Sequence, residues 1–145
     1  MSTAEATQRA AVATEALTWL GTGYHHHGRI KGVGVDCAQL LCAVFEACGL
    51  VPHIETGMYP VDWHLHRNEE LFSAWLRQYA HCCEPGEPVQ AGDVLLFKFG
   101  RTFSHGSICV GDDLLVHAYV KRGVMLSRLT EEPLAGREIQ HWSFW

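Results

Sequence analysis

Asp36-Cys37-Ala38-Gln39-Leu40-Leu41-Cys42-Ala43-Val44-Phe45-Glu46-Ala47-Cys48-Gly49 is the stretch on which the reading of this sequence turns. From Cys37 to Cys48 it consists mostly of good helix formers, Gly49 is a stop signal, and Asp36 is an acceptable N-cap. The stretch predicts a buried helix over 37–48 with Cys37 in its first turn. That position matters because a cysteine attacks only as thiolate, and the positive end of a helix stabilises an anion. Cys42 and Cys48 lie further along the same helix and lack that advantage.

Upstream, Thr3 to Leu20 reads as an amphipathic helix with Val12, Ala16, Trp19 and Leu20 at helical spacing, ended by Gly21 and Gly23. Tyr24 to Asp36 has no usable period and is expected to be a loop. Downstream, Val51 to Asn68 holds Pro52 and Pro60 and looks irregular. Glu69 to Ala80 reads as a third helix with Leu71, Phe72, Trp75, Leu76 and Tyr79 on one side. Pro85 to Gly92 is a turn-rich connector.

The pattern then changes. Residues 94–99, 107–110, 114–120 and 124–126 are short apolar or alternating runs. They are punctuated by Gly111-Asp112-Asp113 and Lys121-Arg122-Gly123, as in β-hairpins, and a last strand is expected within 138–144. Helices first and antiparallel strands afterwards predict an α+β fold, with N-terminal helices packed on an antiparallel sheet. The chain has no internal repeat and no linker long enough to divide it, so residues 1–145 are expected to form one domain.

Two histidines on the predicted strands give Cys37 a partner. His105 lies in Ser104-His105-Gly106-Ser107 and His117 in Val116-His117-Ala118, on either side of the turn at 111–113. Folded about that turn, His117 can hold the ring of His105 in one tautomer while His105 pairs with the thiol. Nucleophile, base and orienter together make a catalytic triad. Taken singly, a cysteine in a helix or a histidine on a strand is more often a core residue.

Five motifs in register carry a resemblance. They are Gly21-Thr22-Gly23-Tyr24, Asp36-Cys37-Ala38-Gln39-Leu40, Ala91-Gly92-Asp93-Val94, Ser104-His105 and Val116-His117-Ala118. Over roughly residues 10–120 the chain resembles the NlpC-type papain-like cell-wall peptidases. Trp19-Leu20-Gly21-Thr22 and Lys31-Gly32-Val33-Gly34 look closest to the phage-encoded branch.

The resemblance implies a papain-like fold and hydrolysis of amide bonds in peptidoglycan stem peptides, typically beside a γ-linked D-glutamyl residue. It also implies Cys37 as nucleophile, His105 as general base and His117 as third polar residue. Tyr24, Asp36 and Ser104 fall on the oxyanion-hole and substrate side, with the Cys37 N–H as a further oxyanion donor. For Asp36 a capping role stands ahead of contact with a substrate amine. Two positions depart from the pattern. Gln39 stands where a small residue is usual and is expected to narrow the cleft or change substrate choice, and Gly106 stands where a small apolar residue is common.

Composition excludes several other classes. The formal charge is −5 and the basic residues are scattered, which disfavours nucleic acid as a partner. No apolar run is long enough to span a bilayer, and Met1 to Arg9 lacks the features of a signal peptide. The expected route is therefore synthesis in the cytoplasm and delivery on a phage tail or similar particle, with peptidoglycan stem peptides and possible tail proteins as partners.

The six cysteines, at 37, 42, 48, 82, 83 and 109, are expected to be reduced and mostly small core residues. No cofactor is required and no metal is expected. His25-His26-His27 reads as a cleft-side loop, and His64 and His66 lack further ligands at zinc spacing. The aromatic tail, Trp142 to Trp145, is expected to cover the core. Two other readings keep the fold: a structural tail-assembly module with a vestigial site, and an acyl transferase or amidase with a non-wall substrate.

Overall fold

The computed structural model describes residues 1–59 and 71–145. His64, His66 and the first two residues of the expected third helix lie outside them. Helix α1 spans Thr3–Leu17, capped at its start by the Ser2 hydroxyl, which accepts from the Glu5 N–H at 3.0 Å. It ends three residues earlier than the apolar spacing predicted, so Trp19 still turns under into the core while Leu20 is exposed.

The expected loop after it contains a small hairpin, β1 (Arg29–Ile30) against β2 (Gly34–Val35). Two-residue strands leave no sequence period, which is why spacing did not reveal them. Helix α2 then runs Cys37–Ala47, with Asp36 as N-cap accepting from the Gln39 N–H at 2.9 Å. Gly49, at φ +73°, turns the chain out of the helix. Helix α3 covers Leu71–Arg77 and buries Phe72 and Leu76, while Tyr79 lies beyond its end and is exposed.

Six antiparallel strands follow: β3 (His81–Cys82), β4 (Val94–Phe99), β5 (Thr102–Gly111), β6 (Leu114–Tyr119), β7 (Gly123–Arg128) and β8 (Ile139–Ser143). They stand in the order β3-β8-β4-β5-β6-β7. The α+β arrangement of helices on an antiparallel sheet agrees with the sequence reading. Strand β3 was not expected. Strand β5 is longer than predicted, because Thr102 and Phe103 continue the ladder opposite Phe99 and Lys98. His105 therefore sits within the strand, opposite Phe97. Asp112 and Asp113 both have positive φ, as the tight turn between β5 and β6 requires.

Both faces of the sheet are covered. Val94, Leu96, Ile108 and Val116 face the main core, with Val12, Leu40, Val44, Phe45 and Phe72 from the helices. Leu95, Phe97, Cys109 and Leu115 form a smaller cluster closed by Leu134 from the loop before β8. The aromatic tail covers the core as expected: Trp142 is buried and Phe144 stacks on Phe45 with ring centroids 4.1 Å apart.

A buried ion pair ties the first helix to the sheet. Arg9 donates to Asp93 Oδ1 at 2.7 Å and to the Ala91 carbonyl at 3.0 Å, while His141 Nε2 meets Asp93 Oδ2 at 2.7 Å. Arg9 falls on the stripe 9, 12, 13, 16 that the helix buries. The Ala91-Gly92-Asp93 motif is thus a structural joint.

All six cysteines are unpaired, but only Cys109 is buried and Cys82 is exposed. The expectation that most are core residues is corrected accordingly. Among the described residues no helix is long and apolar enough to cross a membrane, and no group of His, Cys, Asp or Glu is arranged to hold a metal ion.

Candidate active site

A cleft with a volume of about 240 Å³ opens at the N-terminal end of α2. Cys37, the first residue of that helix, forms part of its wall together with Tyr24, Asp36, Ser104 and His105. Five of the six candidate site residues thus line one cavity. His117 stands behind His105, fully buried on β6.

The ladder explains how the histidines meet. Ile108 pairs with Val116, so His105 lies diagonally across β5 and β6 from His117, a separation that ring side chains can bridge. Their rings meet edge to face, and His105 Nε2 lies 2.8 Å from His117 Nδ1. On its far side His117 Nε2 meets Ser127 Oγ at 2.9 Å. Ser127 on β7 was missed because the expected strand stopped at residue 126. Its diagonal offset from His117 repeats that of His117 from His105, so the hairpin register was the available signal.

The thiol is half-buried and its hydrogen bond goes to the Ser104 carbonyl at 3.5 Å, not to the imidazole. Its pKa is pushed up to about 12, by burial first and by the neighbouring Asp36 charge second. Backbone N–H groups of Gly106, Ala38 and Cys37 pull it back only in part. The helix terminus therefore does not prevail over desolvation, contrary to the expectation of a thiolate at rest. His105 is held well below its ordinary value, by burial and then by His117 and Arg137. Burial lowers His117 to about 4. All three groups are neutral near pH 7.

The Asp36 carboxylate is held by three hydrogen bonds. Besides the helix cap, its other oxygen takes the His27 N–H at 2.9 Å and the Tyr59 hydroxyl at 2.5 Å. Capping, ranked first from sequence, is what the side chain does here. Tyr59, which sequence reading missed, lines the cleft beside it. Nothing in the irregular run around Pro52 and Pro60 marked it out. The three-histidine loop is pinned to it, with His26 Nε2 2.9 Å from the Tyr59 carbonyl and the His27 ring tilted over the Tyr59 ring at 4.0 Å.

Gln39 is buried and does not reach the cleft. It accepts from Arg29 Nε at 2.6 Å and donates to Thr56 Oγ1 at 3.0 Å and to the Tyr59 hydroxyl at 3.3 Å. It acts on the cleft only through the segment it fastens. The Ser104 hydroxyl is likewise engaged, donating to the Phe99 carbonyl at 3.3 Å.

Gly106 is required by space: a Cβ there would lie 2.7 Å from Phe72 Cζ and 3.2 Å from Leu41 Cδ2. Burial raises the pKa of the Tyr24 hydroxyl, helped by Cys37 and Asp36, so it remains a hydrogen-bond donor.

Comparison with known proteins gives a consistent picture. The sequence pattern of the NlpC/P60 family matches residues 21–143. No curated protein matches the chain.

Among solved structures, the NlpC/p60 domain of the peptidoglycan hydrolase SagA superposes with a TM-score of 0.63 at 18% identity, over 91% of this chain and 96% of that one. NlpC1 from Trichomonas vaginalis gives 0.68 at 14% identity, over 93% of this chain and 44% of that one. The peptidoglycan hydrolase RipB from Mycobacterium tuberculosis gives 0.61 at 20% identity, over 99% and 68%. At these identities the likeness is one of fold, and for several of the solved structures this chain spans less than half their length.

Proposed function

The chain belongs to the NlpC/P60 family, and from that premise we propose that it is a cysteine peptidase cutting amide bonds in bacterial peptidoglycan stem peptides. The observation that carries this reading is the shared cleft of Cys37 and His105, with His105 hydrogen-bonded at 2.8 Å to His117. No cofactor enters the chemistry.

The proposed reaction starts from a neutral pair. With burial holding Cys37 as thiol and His105 as free imidazole, neither ion is stable alone in the cleft. The proton therefore moves from Sγ to His105 as the carbon–sulfur bond forms. The thiol turns from the Ser104 carbonyl toward the imidazole, and sulfur attacks the scissile carbonyl. The oxyanion takes hydrogen bonds from the Cys37 N–H and the Tyr24 hydroxyl, where losing one donor costs on the order of a hundredfold in rate.

The intermediate collapses as His105 passes its proton to the leaving amine, leaving a thioester on Cys37. Water, losing a proton to His105, then attacks the thioester. The acid is released and the thiol restored.

The finer reading adds a γ-linked D-glutamyl bond as target and delivery on a phage tail. The target bond is what the family resemblance implies, and the support for tail delivery is the pair of motifs Trp19-Leu20-Gly21-Thr22 and Lys31-Gly32-Val33-Gly34. Incubation with purified peptidoglycan, followed by mass spectrometry of soluble products, tests the activity. New amine and carboxyl ends within the stem peptide are expected. Intact stems after prolonged incubation would leave a structural module with a vestigial site as the better account. Mass spectrometry of purified phage particles tests the tail assignment, which fails if the protein is absent from them.

A further inference from the structure

We propose that Gln39, seated by Arg29, is a positioning residue that sets which substrates the cleft admits, by holding Tyr59 as a fixed wall beside Cys37. The inference rests on the cysteine-peptidase reading and deepens it, since Tyr59 lines the cleft and neither Gln39 nor Arg29 does.

The wall needs support from outside its own segment. Residues 52–59 contain no helix or strand, so no backbone ladder sets their shape. Side chains hold them instead. Arg29, on β1, donates from Nη2 to the Ile54 carbonyl at 2.7 Å and from Nε to Gln39 Oε1 at 2.6 Å. Gln39, buried on α2 at 3% exposure, donates from Nε2 to Thr56 Oγ1 at 3.0 Å and to the Tyr59 hydroxyl at 3.3 Å. One guanidinium and one amide thus join the hairpin, the helix and the segment. The histidine loop holds the Tyr59 backbone, whereas this relay holds the run leading to it and, with Asp36, the tip of its ring.

The direction of the relay is fixed at both ends. A guanidinium only donates and a carboxylate only accepts. Arg29 therefore takes the Gln39 carbonyl, which leaves the Gln39 NH₂ facing the two hydroxyls. Thr56 passes its own hydrogen to the Gly57 carbonyl at 3.2 Å, and Tyr59 passes its hydrogen to Asp36 Oδ2. Turning the amide over would set its NH₂ against the Arg29 Nε–H, donor against donor, so one arrangement survives.

What the relay controls is room. Tyr59 and Trp75 both line the cleft, with ring centroids 5.7 Å apart. With Tyr59 unable to swing, a rigid aromatic edge bounds the space beside Cys37 and turns a bulky substrate residue away. Among the described residues no hydrogen bond joins Gln39 or Arg29 to Cys37, His105 or His117. Loosening the relay should therefore change what binds and leave the chemical step in place.

The test uses Gln39→Met, which keeps the bulk of the side chain without its hydrogen bonds. Hydrogen exchange read by mass spectrometry is expected to be faster over residues 52–59 than in wild type. Synthetic γ-D-glutamyl peptides carrying alanine or leucine beside the glutamyl residue supply the kinetics, and wild type is expected to prefer alanine. Gln39→Met should raise KM for the alanine peptide by about three- to tenfold with kcat held within about twofold. Its preference for alanine over leucine in kcat/KM should shrink by a similar factor. In a Tyr59→Ala background the same substitution should shift that preference no further.

Unchanged exchange over 52–59 in Gln39→Met, a fall in kcat at constant KM, or an undiminished shift in the Tyr59→Ala background would each overturn the proposal. Thr56→Val, which removes one acceptor on the segment, carries the same test if Gln39→Met does not fold, and wild-type exchange and selectivity there would overturn it. Failure of the underlying reading looks different. In that case Cys37→Ala would cleave the peptides as well as wild type, whatever the exchange over 52–59.

Discussion

Replacing Asp36 by asparagine should make the protein less stable and its thiol more acidic, two effects that seldom travel together. Asp36 is buried, and its carboxylate receives the Gln39 N–H, the His27 N–H and the Tyr59 hydroxyl. Asparagine keeps one acceptor, enough for the helix cap, but turns an NH₂ toward the His27 N–H and the Tyr59 hydroxyl. Tyr59 can reverse its hydroxyl; the His27 N–H cannot.

One buried donor is then left facing another, which costs about 1–3 kcal/mol. For a chain of this size that is a fall of roughly 3–10 °C in Tm. The same change removes the charge that, after burial, does most to hold the Cys37 pKa up. Alkylation of Cys37 by iodoacetamide at pH 8, followed by intact mass, should therefore speed up relative to wild type. Thermal unfolding by circular dichroism supplies the other readout. An unchanged Tm, or a thiol that alkylates no faster, would refute the account of Asp36 as a buried cap whose charge burdens the nucleophile.

Acid should unfold the protein earlier than its carboxylates alone would require. Burial lowers His117 from 6.5 to about 4. Above pH 6.5 folded and unfolded chains are both neutral at this site. As pH falls below 6.5 the unfolded chain takes up a proton that the folded one refuses, so stability declines down to about pH 4, by about 3 kcal/mol for this one group. His105 acts in the same direction. Tm measured from pH 7 to 4 should fall steeply, and less so in His117→Asn; equal slopes would contradict the assignment.

Gly106→Ala should cost about 1–3 kcal/mol, because its Cβ meets the Phe72 ring at 2.7 Å. Urea unfolding checks this, with Phe72→Leu in the same chain expected to recover part of the loss.

Much of the fold was legible because its long elements carry strong signals. Helix α2 announced itself through an N-cap, a run of helix formers and a glycine stop, and β4 through the apolar run 94–97, buried on both faces. The signals failed where structure is set by partners. Strand β5 extends through Thr102 and Phe103 beside β4, but the polar and small residues 104–107 interrupt the apolar pattern that would have shown it. Strands β1, β2 and β3 have two residues each and no period to read.

The site divides in the same way. Cys37, His105 and His117 stood out by residue type and position. Ser127 and Tyr59 are ordinary residues given a role by what the fold sets against them. The state of the thiol was misjudged for a further reason. A helix terminus can be inferred from sequence, whereas desolvation and the field of Asp36 depend on how tightly the surroundings close.

The whole account depends on sulfur chemistry at Cys37, and cleavage of a defined γ-D-glutamyl peptide tests it most directly. With products quantified by mass spectrometry, Cys37→Ala and His105→Ala should each fall by about ten-thousandfold or more, to background, while retaining the wild-type circular dichroism spectrum. A Cys37→Ala protein that still releases product at the wild-type rate would contradict it.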